Sequence, residues 1–466
     1  MQKAVLVGVQ LPKVTNEENA ASLVELGRLV TTLGFEVVGQ MSQRRFSQKG
    51  VTVLGDGRLK TLAEWTGGTG VVTSTVVHKK SKAALKFDKN LEEDDQDESD
   101  DSDEDITEED AEETIEEFAE TPKEKADIVV FDCDLSPSQL RNLESAMGVQ
   151  VLDRTGVIIE IFSRHARTRS ARLQVEIARL TYVAPRLRET GGGGDRGGGG
   201  VGAKGSGETT LELEKRHIRD RIKELKLELG SIDNEHLVRR SRRSQELSVA
   251  LVGYTNAGKS SLMRAMTGSE VLIADKLFAT LDTTVRPIYP ETKPNILLSD
   301  TVGFIKKLPH DLVASFKSTL DEALNASLLL FIVDASDVTF RSQLQVTKEV
   351  LAEVGAAEIP SLLVLNKRDR LSAEEVASLQ AEYPEAFLLS TRYKEDLQAL
   401  REKLLSYFES DMLDVDLFIP YTTPSAIGEI RSRMRVLAEA YDGNGTTLKV
   451  RALKENIDYI KRKFEL

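Results

Sequence analysis

Four short stretches carry residue types that together could hold a nucleoside triphosphate. The first, GYTNAGKS from Gly253 to Ser260, has the G-x-x-x-x-G-K-[ST] spacing. An apolar run, Glu246 to Val252, reads as a buried strand before it, and Leu262 to Met266 reads as a helix after it. In that setting the backbone N–H groups of Gly253, Tyr254, Thr255, Asn256, Ala257 and Gly258 are expected to face phosphate oxygens. The helix N-terminus at Lys259, Ser260 and Ser261 adds to them. Lys259 would reach the β and γ phosphates, and the Ser260 hydroxyl would ligate Mg²⁺. A second strand, Asn295 to Ser299, would deliver Asp300 of the stretch Asp300-Thr301-Val302-Gly303. Asp300 would hold Mg²⁺ through water, and the Gly303 N–H would sense the γ-phosphate. Between them lies FATLDTTVR, Phe278 to Arg286, a hydroxyl-rich loop opened by Phe278, Ala279, Thr280 and Leu281. It would close over metal and phosphate through Thr284, with Thr283 as the neighbouring alternative. Lys259, Thr284 and Gly303 are the expected catalytic residues.

The last stretch selects a base. Leu362 to Leu365 reads as a strand ending in Asn366-Lys367-Arg368-Asp369. An Asp carboxylate accepts two N–H groups from the guanine edge, a donor pair that adenine does not present. Asn366 would brace the loop, and Lys367 would lay its stem along the base. After the strand Phe387 to Leu389, Ser390, Thr391 and Arg392 would complete the pocket. These elements, in this order, imply GTP as substrate, GDP as product and Mg²⁺ as the metal. Where many such proteins place a water-orienting Gln, this chain has Phe304, so intrinsic hydrolysis is expected to be slow and to quicken when a partner orders the loops.

These stretches need an α/β scaffold, and the rest of the chain supplies candidates. With 466 residues, more than one core is expected. The expected fold class is α/β: a P-loop domain at 246–410, preceded by an α/β N-terminal domain at 1–162 and a helical hairpin at 163–245. A small α+β domain at 411–466 follows. No apolar run approaches the ~18 residues of a membrane span, and the single cysteine, Cys133, excludes an internal disulfide framework. A cytosolic monomer without an integral membrane segment is expected, with peripheral membrane association as a second location.

The net charge of −14 is concentrated in one place. Residues 91–122 hold 19 Asp and Glu, and an acidic insertion at about 88–122 is expected to be disordered. Without it the chain is mildly basic, which suits a polyanionic partner. Leu173, Ile177, Leu180, Ala184 and Leu187 form one helical seam, with Pro185 expected to kink or end the helix. Leu211, Ile218, Ile222, Leu225, Leu229 and Ile232 form another. A Gly-rich loop at 191–207 joins them as a plain linker or as a tip that approaches nucleic acid. In the second reading Arg196 and Lys204 would touch RNA.

Longer strings carry a family resemblance. GDGRLKTL at 55–62, LSPSQLRNLE at 135–144, VLDRTGVIIEIFSRHARTRSARLQVEIARLTYVAPRL at 151–187 and GETTLELEKRHIRDRI at 207–222 are four of them. With GYTNAGKSSL, LFATLD, DTVGFIKKLPHDLVASFKSTL and NKRD, the chain resembles HflX-type GTPases over nearly its whole length outside the acidic insertion. The resemblance implies a GTPase that binds the large ribosomal subunit and splits stalled or idle ribosomes, its helical hairpin directed toward ribosomal RNA. The chain departs from the family at Gly205-Ser206-Gly207-Glu208, where Gly-Pro-Gly-Glu is common, and at Asp282-Thr283-Thr284, where Asp-Pro-Thr is common. Two other readings stand beside it: a GTPase of ribosome assembly or RNA modification, and a nucleotide-controlled protein or membrane regulator without an RNA target.

Overall fold

The computed structural model describes residues 2–72, 124–187, 210–243, 247–268, 278, 284–292, 295–306, 322–410, 412–423 and 425–464. The acidic insertion, the Gly-rich loop with Arg196 and Lys204, and Ala279, Thr280, Leu281 and Thr283 lie outside these residues. The chain divides into two units, 1–154 and 155–466.

Apolar runs punctuated by helix caps build the first unit. Strands β1 (Lys3–Gln10), β2 (Glu36–Arg44), β3 (Ile128–Phe131) and β4 (Gln150–Asp153) form a parallel sheet in the order β2-β1-β3-β4. Helix α1 (Asn16–Thr32) starts with a capping box, Thr15 with Glu18. Helix α2 is Asp56–Thr66. Helix α3 (Pro137–Met147) repeats the capping-box device with Ser136 and Gln139, and Pro137 occupies the first turn, where its missing N–H costs nothing. The second strand continues to Arg44 because Gly39 lets the backbone pass under Trp65. A Cβ at Gly39 would lie 1.9 Å from the Trp65 ring. Arg154, almost wholly buried, donates to Asp132 at 2.7 Å and to Glu25, and Ser22 donates to the other Asp132 oxygen at 2.6 Å. A buried guanidinium is tolerated here because carboxylates meet it on two sides.

In the second unit, helix α4 (Arg154–His165) leads into α5 (Arg169–Val183), which ends at a 3₁₀ turn, Ala184–Arg186, that contains Pro185. Helix α6 is Thr210–Arg243. Leu173, Ile177 and Leu225 are buried between α5 and α6, with Leu180, Ile222, Leu229 and Ile232 packed around them. The heptad-like spacing in the sequence thus becomes one shared seam. Arg169–Glu228 and Arg221–Glu176 pair across it.

The nucleotide-domain sheet contains β5 (Leu247–Gly253), β6 (Thr284–Pro287), β7 (Ile296–Asp300), β8 (Leu328–Asp334), β9 (Ser361–Asn366) and β10 (Phe387–Leu388). Its order is β10-β9-β8-β5-β7-β6, parallel except for β6 against β7. After β7 the chain crosses from one side of β5 to the other, which makes the carboxyl end of β5 a topological switch point, where open α/β sheets hold ligands. Helices α7 (Lys259–Thr267), α8 (Phe340–Glu353), α9 (Ala373–Glu382) and α10 (Lys394–Glu409) accompany the sheet.

The C-terminal part follows as β11 (Leu413–Pro420), α11 (Ser425–Arg433), β12 (Arg435–Asp442), β13 (Gly445–Ala452) and α12 (Lys454–Phe464). The strands form an antiparallel sheet ordered β11-β13-β12, and Leu417, Ile419, Ile430, Leu448, Val450 and Ile460 make its core. Among the described residues no helix is long and apolar enough to cross a membrane.

Gly39→Ala should destabilise the first unit by about 1–3 kcal/mol, because the Trp65 ring has no space to retreat in a packed core. Urea unfolding followed by Trp65, the only tryptophan in the chain, measures this directly.

Candidate functional site

Three of the four stretches singled out in the sequence converge at the carboxyl ends of β5, β7 and β9, with Ser390 following β10; of the fourth, Phe278 and 284–286 are described. Gly253 ends β5 with φ 152°, and a Cβ there would lie 2.2 Å from the Ile332 carbonyl oxygen of β8. Only glycine allows this turn and this approach together. Gly258, at φ 99°, precedes α7, and a Cβ there would strike the Asn366 side-chain amide nitrogen at 2.2 Å. Asn366 uses that nitrogen to donate to the Ala257 carbonyl at 2.9 Å. The loop at Asn366 is therefore tied to the loop at Ala257.

Lys259 opens α7 with only 6% of its surface exposed. Its ammonium donates to the Gly253 carbonyl at 3.0 Å and the Tyr254 carbonyl at 2.8 Å. Burial pulls its pKa down from 10.5 to about 8, and the Asp300 carboxylate opposes that shift without cancelling it. Ser260 Oγ donates to Asp300 Oδ2 at 2.7 Å, and Thr284 of β6 lies in register opposite Asp300 of β7. Ser260 and Asp300 thus meet directly, with Thr284 on the neighbouring strand, and these oxygen-bearing residues are a hard-donor set that fits Mg²⁺. Ser261 follows on the same helix, half-buried.

The segment after Asp300 is sewn onto the phosphate loop. Thr301 Oγ1 donates to the Leu251 carbonyl at 2.7 Å, and Val302 is buried. Thr255 N–H donates to the Phe304 carbonyl at 2.8 Å, and Phe304 N–H donates to the Gly253 carbonyl at 3.1 Å. Tyr254 Oη accepts from the Lys306 N–H at 2.7 Å. Gly303 fits beneath because it has no side chain: a Cβ there would be 2.9 Å from Thr255 Cα and 3.0 Å from Lys259 Nζ. Phe278, with φ 57°, is buried and sets its ring edge-on to Phe162 of α4, centroids 4.5 Å apart.

On the base side Lys367 adopts φ 63° and donates to the Asn256 carbonyl at 2.8 Å and to Asp334 at 2.6 Å. Asn256 itself sits at φ 61°, a left-handed position that asparagine tolerates well. Asp369 accepts from Ser390 Oγ at 2.7 Å, and Arg392 lies 3.1 Å from its other oxygen. Burial alone would raise the Asp369 pKa. The Ser390 hydrogen bond, the local backbone and the Arg392 and Arg370 guanidiniums outweigh it and hold the carboxyl below its ordinary range. Arg368 turns to Asp396, at 2.5 Å, and to the Tyr393 ring, while Ser390 N–H donates to the other Asp396 oxygen at 2.7 Å. Thr391 follows, half-buried. Asp334, Asp396 and Phe162 are the supporting residues that sequence reasoning missed. Asp334 had a signal, since it ends an apolar strand beside the site; Asp396 sits in an ordinary acidic first turn of α10.

Comparison with known proteins agrees with this geometry. A family model described as "50S ribosome-binding GTPase" matches residues 248–367, "GTP-binding GTPase Middle Region" matches 165–243, and "GTP-binding GTPase N-terminal" matches 104–163. The GTPase HflX of Gluconacetobacter diazotrophicus is 55% identical over 464 residues, covering 98% of this chain and 97% of its own. That of Caldanaerobacter subterraneus is 34% identical over 450 residues, with 96% and 90% covered. A GTP-binding protein from Sulfolobus solfataricus, solved with GDP, is 22% identical with a TM-score of 0.41, covering 87% of this chain and 98% of that one. The near-complete match to the bacterial relatives, on a sheet whose switch point gathers phosphate-loop and guanine-loop residues, places this chain in the HflX family of GTP-binding, GTP-hydrolysing proteins.

Proposed function

We propose that this GTPase is a switch whose GTP-bound form engages the large ribosomal subunit and splits stalled or idle ribosomes. The observation that carries the RNA-directed part is a stripe on α6. Arg216, Arg219, Lys223 and Lys226 are all exposed and follow a spacing of three, four and three, which sets them along one helix face. The residues that pair with α5, Arg221 and Glu228, lie on another face. Exposed positive charge aligned in this way suits a phosphate backbone. The description of the matching family model, a ribosome-binding GTPase, points the same way. Arg196 and Lys204, expected at the tip between these helices, are proposed as further RNA contacts.

In the pocket, the loop from Gly253 to Gly258 would cradle the phosphates with its backbone N–H groups, except that of Thr255, which is held by the Phe304 carbonyl at 2.8 Å. Lys259 would exchange its two carbonyl partners for the β and γ phosphates. Ser260 and Thr284 would hold Mg²⁺ directly and Asp300 through water; the metal, when bound, offsets phosphate charge. Gly303 would offer its N–H to the γ-phosphate. Asp369, already ionised and steered by Ser390, would take the guanine N1–H and N2–H, with Asn366 and Lys367 framing the base. Arg392 would release Asp369 to the base, and Arg368 would act from behind through Asp396.

Nucleotide binding should take up protons at alkaline pH. The Lys259 pKa, lowered to about 8, rises again once phosphates surround it, so the uptake is small at pH 7 and approaches roughly three-quarters of a proton at pH 8.5. The same depressed pKa works against folding below pH 8, and that penalty fades as pH rises from about 8 toward 10.5. GDP titration calorimetry in two buffers of different ionisation enthalpy measures the uptake; none at pH 8.5 means that Lys259 is already charged.

Asp369→Asn should weaken GTP binding by roughly two orders of magnitude or more and favour xanthine nucleotide, whose 2-oxo group can accept from the new amide. Unchanged guanine selectivity in a competition assay would remove Asp369 from the base pocket.

GTP turnover should rise strongly on adding purified large ribosomal subunits, and the stimulation should fall steeply between low and high salt. If GTP binds tightly but subunits have no effect, the partner is a protein or a membrane surface instead.

A further inference from the structure

We propose that Thr255 is the residue that positions the attacking water, in the role that a side-chain amide after DTVG would otherwise fill. This rests on the GTP-hydrolysing reading of the same pocket. Phe304 cannot take that role. Its ring is buried, and its backbone is bound in both directions, accepting from Thr255 N–H at 2.8 Å and donating to the Gly253 carbonyl at 3.1 Å. The residue fastens the segment to the phosphate loop and presents no polar atom to water.

Thr255 has what Phe304 lacks. It is only 7% exposed, and its hydroxyl makes no hydrogen bond to any described residue. A buried hydroxyl left in that condition is costly, and native proteins keep few of them without a use. Its place in the fold narrows the use. Thr255 Cα and Cγ2 each lie 2.9 Å from the point where a Gly303 Cβ would stand, and Lys259 Nζ lies 3.0 Å from that point. The phosphate loop, the lysine that reaches the terminal phosphate and the glycine that senses it therefore meet beside this side chain. Of the other polar groups here, Lys259 carries only donors, and the Asp300 carboxylate holds Ser260 through Oδ2 at 2.7 Å, on the side where the metal is expected.

A hydroxyl can accept a hydrogen bond from water and donate one to a phosphate oxygen at the same time. That pair of bonds would aim the water oxygen at the γ-phosphorus. In the reaction the water oxygen bonds to that phosphorus as its bond to the bridging oxygen of GDP breaks. The water proton passes to a γ-phosphate oxygen, so Thr255 neither gains nor loses a proton overall. It acts by orientation.

The test is single-turnover GTP hydrolysis by the full chain carrying Thr255→Val, which keeps the shape and removes the hydroxyl, and Thr255→Ser, which keeps the hydroxyl and removes the methyl. Thr255→Val should lower kcat about ten- to a hundred-fold while the Kd values for GTP and GDP stay within about twofold. Thr255→Ser should recover most of the lost rate. The proposal is overturned if Thr255→Val retains the parent rate, or if both variants lose it equally. It is also overturned if Thr255→Val weakens GTP binding with kcat intact, because the hydroxyl then serves ground-state binding. Failure of the parent chain to hydrolyse bound GTP at all would strike the underlying reading, a result distinct from any of these.

Discussion

The site is built around one burial: the Lys259 ammonium sits inside the protein without a carboxylate salt-bridge partner among the described residues. A charge so placed must find dipoles, and it finds two carbonyls of its own loop, those of Gly253 and Tyr254. A direct carboxylate partner would have held the lysine more firmly and blunted its attraction for phosphate. Asp300 is near enough to raise its pKa somewhat, yet gives one oxygen to Ser260. Burial therefore lowers its pKa, and an anion beside it would raise that pKa again. That balance requires the loop to curl tightly, and the curl fixes glycine at Gly253 and Gly258, where any side chain would strike Ile332 or Asn366.

From this loop the structure extends by backbone contact more than by side chains. The bridge between Tyr254 and Phe304 makes the segment after Asp300 an appendage of the phosphate loop, so movement at one is felt at the other without long levers. On the opposite flank Asn366 and Lys367 reach the carbonyls of Ala257 and Asn256, which ties the base loop to the same backbone. Phosphate, base and switch segments thus share one short stretch of main chain. Discrete rearrangements of such a shared element can pass a ligand's presence between sites.

Much of this was legible in the sequence, for a physical reason. Phosphate and base binding use backbone geometry that only particular residues permit, so Gly253, Gly258, Lys259, Asp300 and Asp369 stand in fixed spacings. The strands that deliver them are short apolar runs, and the paired apolar seams announced their helices equally plainly. Less legible were the extents set by tertiary contact. Strand β2 continues because Gly39 slides beneath Trp65, a contact between residues far apart in sequence. The supporting carboxylates Asp334 and Asp396 were missed because an acid at a strand end or in a first helical turn has many ordinary reasons to be there. Arg368 was grouped with the base-contacting residues by its place in Asn366-Lys367-Arg368-Asp369. Its side chain instead turns away to Asp396, which a spacing rule cannot foresee.

The helical pair shows where stability and charge pull in different directions. Its buried seam is small, centred on Leu173, Ile177 and Leu225, and the ion pairs that flank it are exposed, each contributing about 0–1 kcal/mol. Like charges three and four residues apart on a helix destabilise it by roughly 0.2–0.5 kcal/mol per pair. Arg216, Arg219, Lys223 and Lys226 are spaced in just that way, on a helix that has little packing to spare. Acidic residues at helical spacing relieve part of this repulsion, Glu212 beside Arg216 and Asp220 beside Arg216 and Lys223, whereas Arg219 and Lys226 have no acidic residue three or four positions away. Repulsion within the stripe disappears when a polyanion lies along it, so the face that is least favourable for the isolated helix gains most from a phosphate backbone.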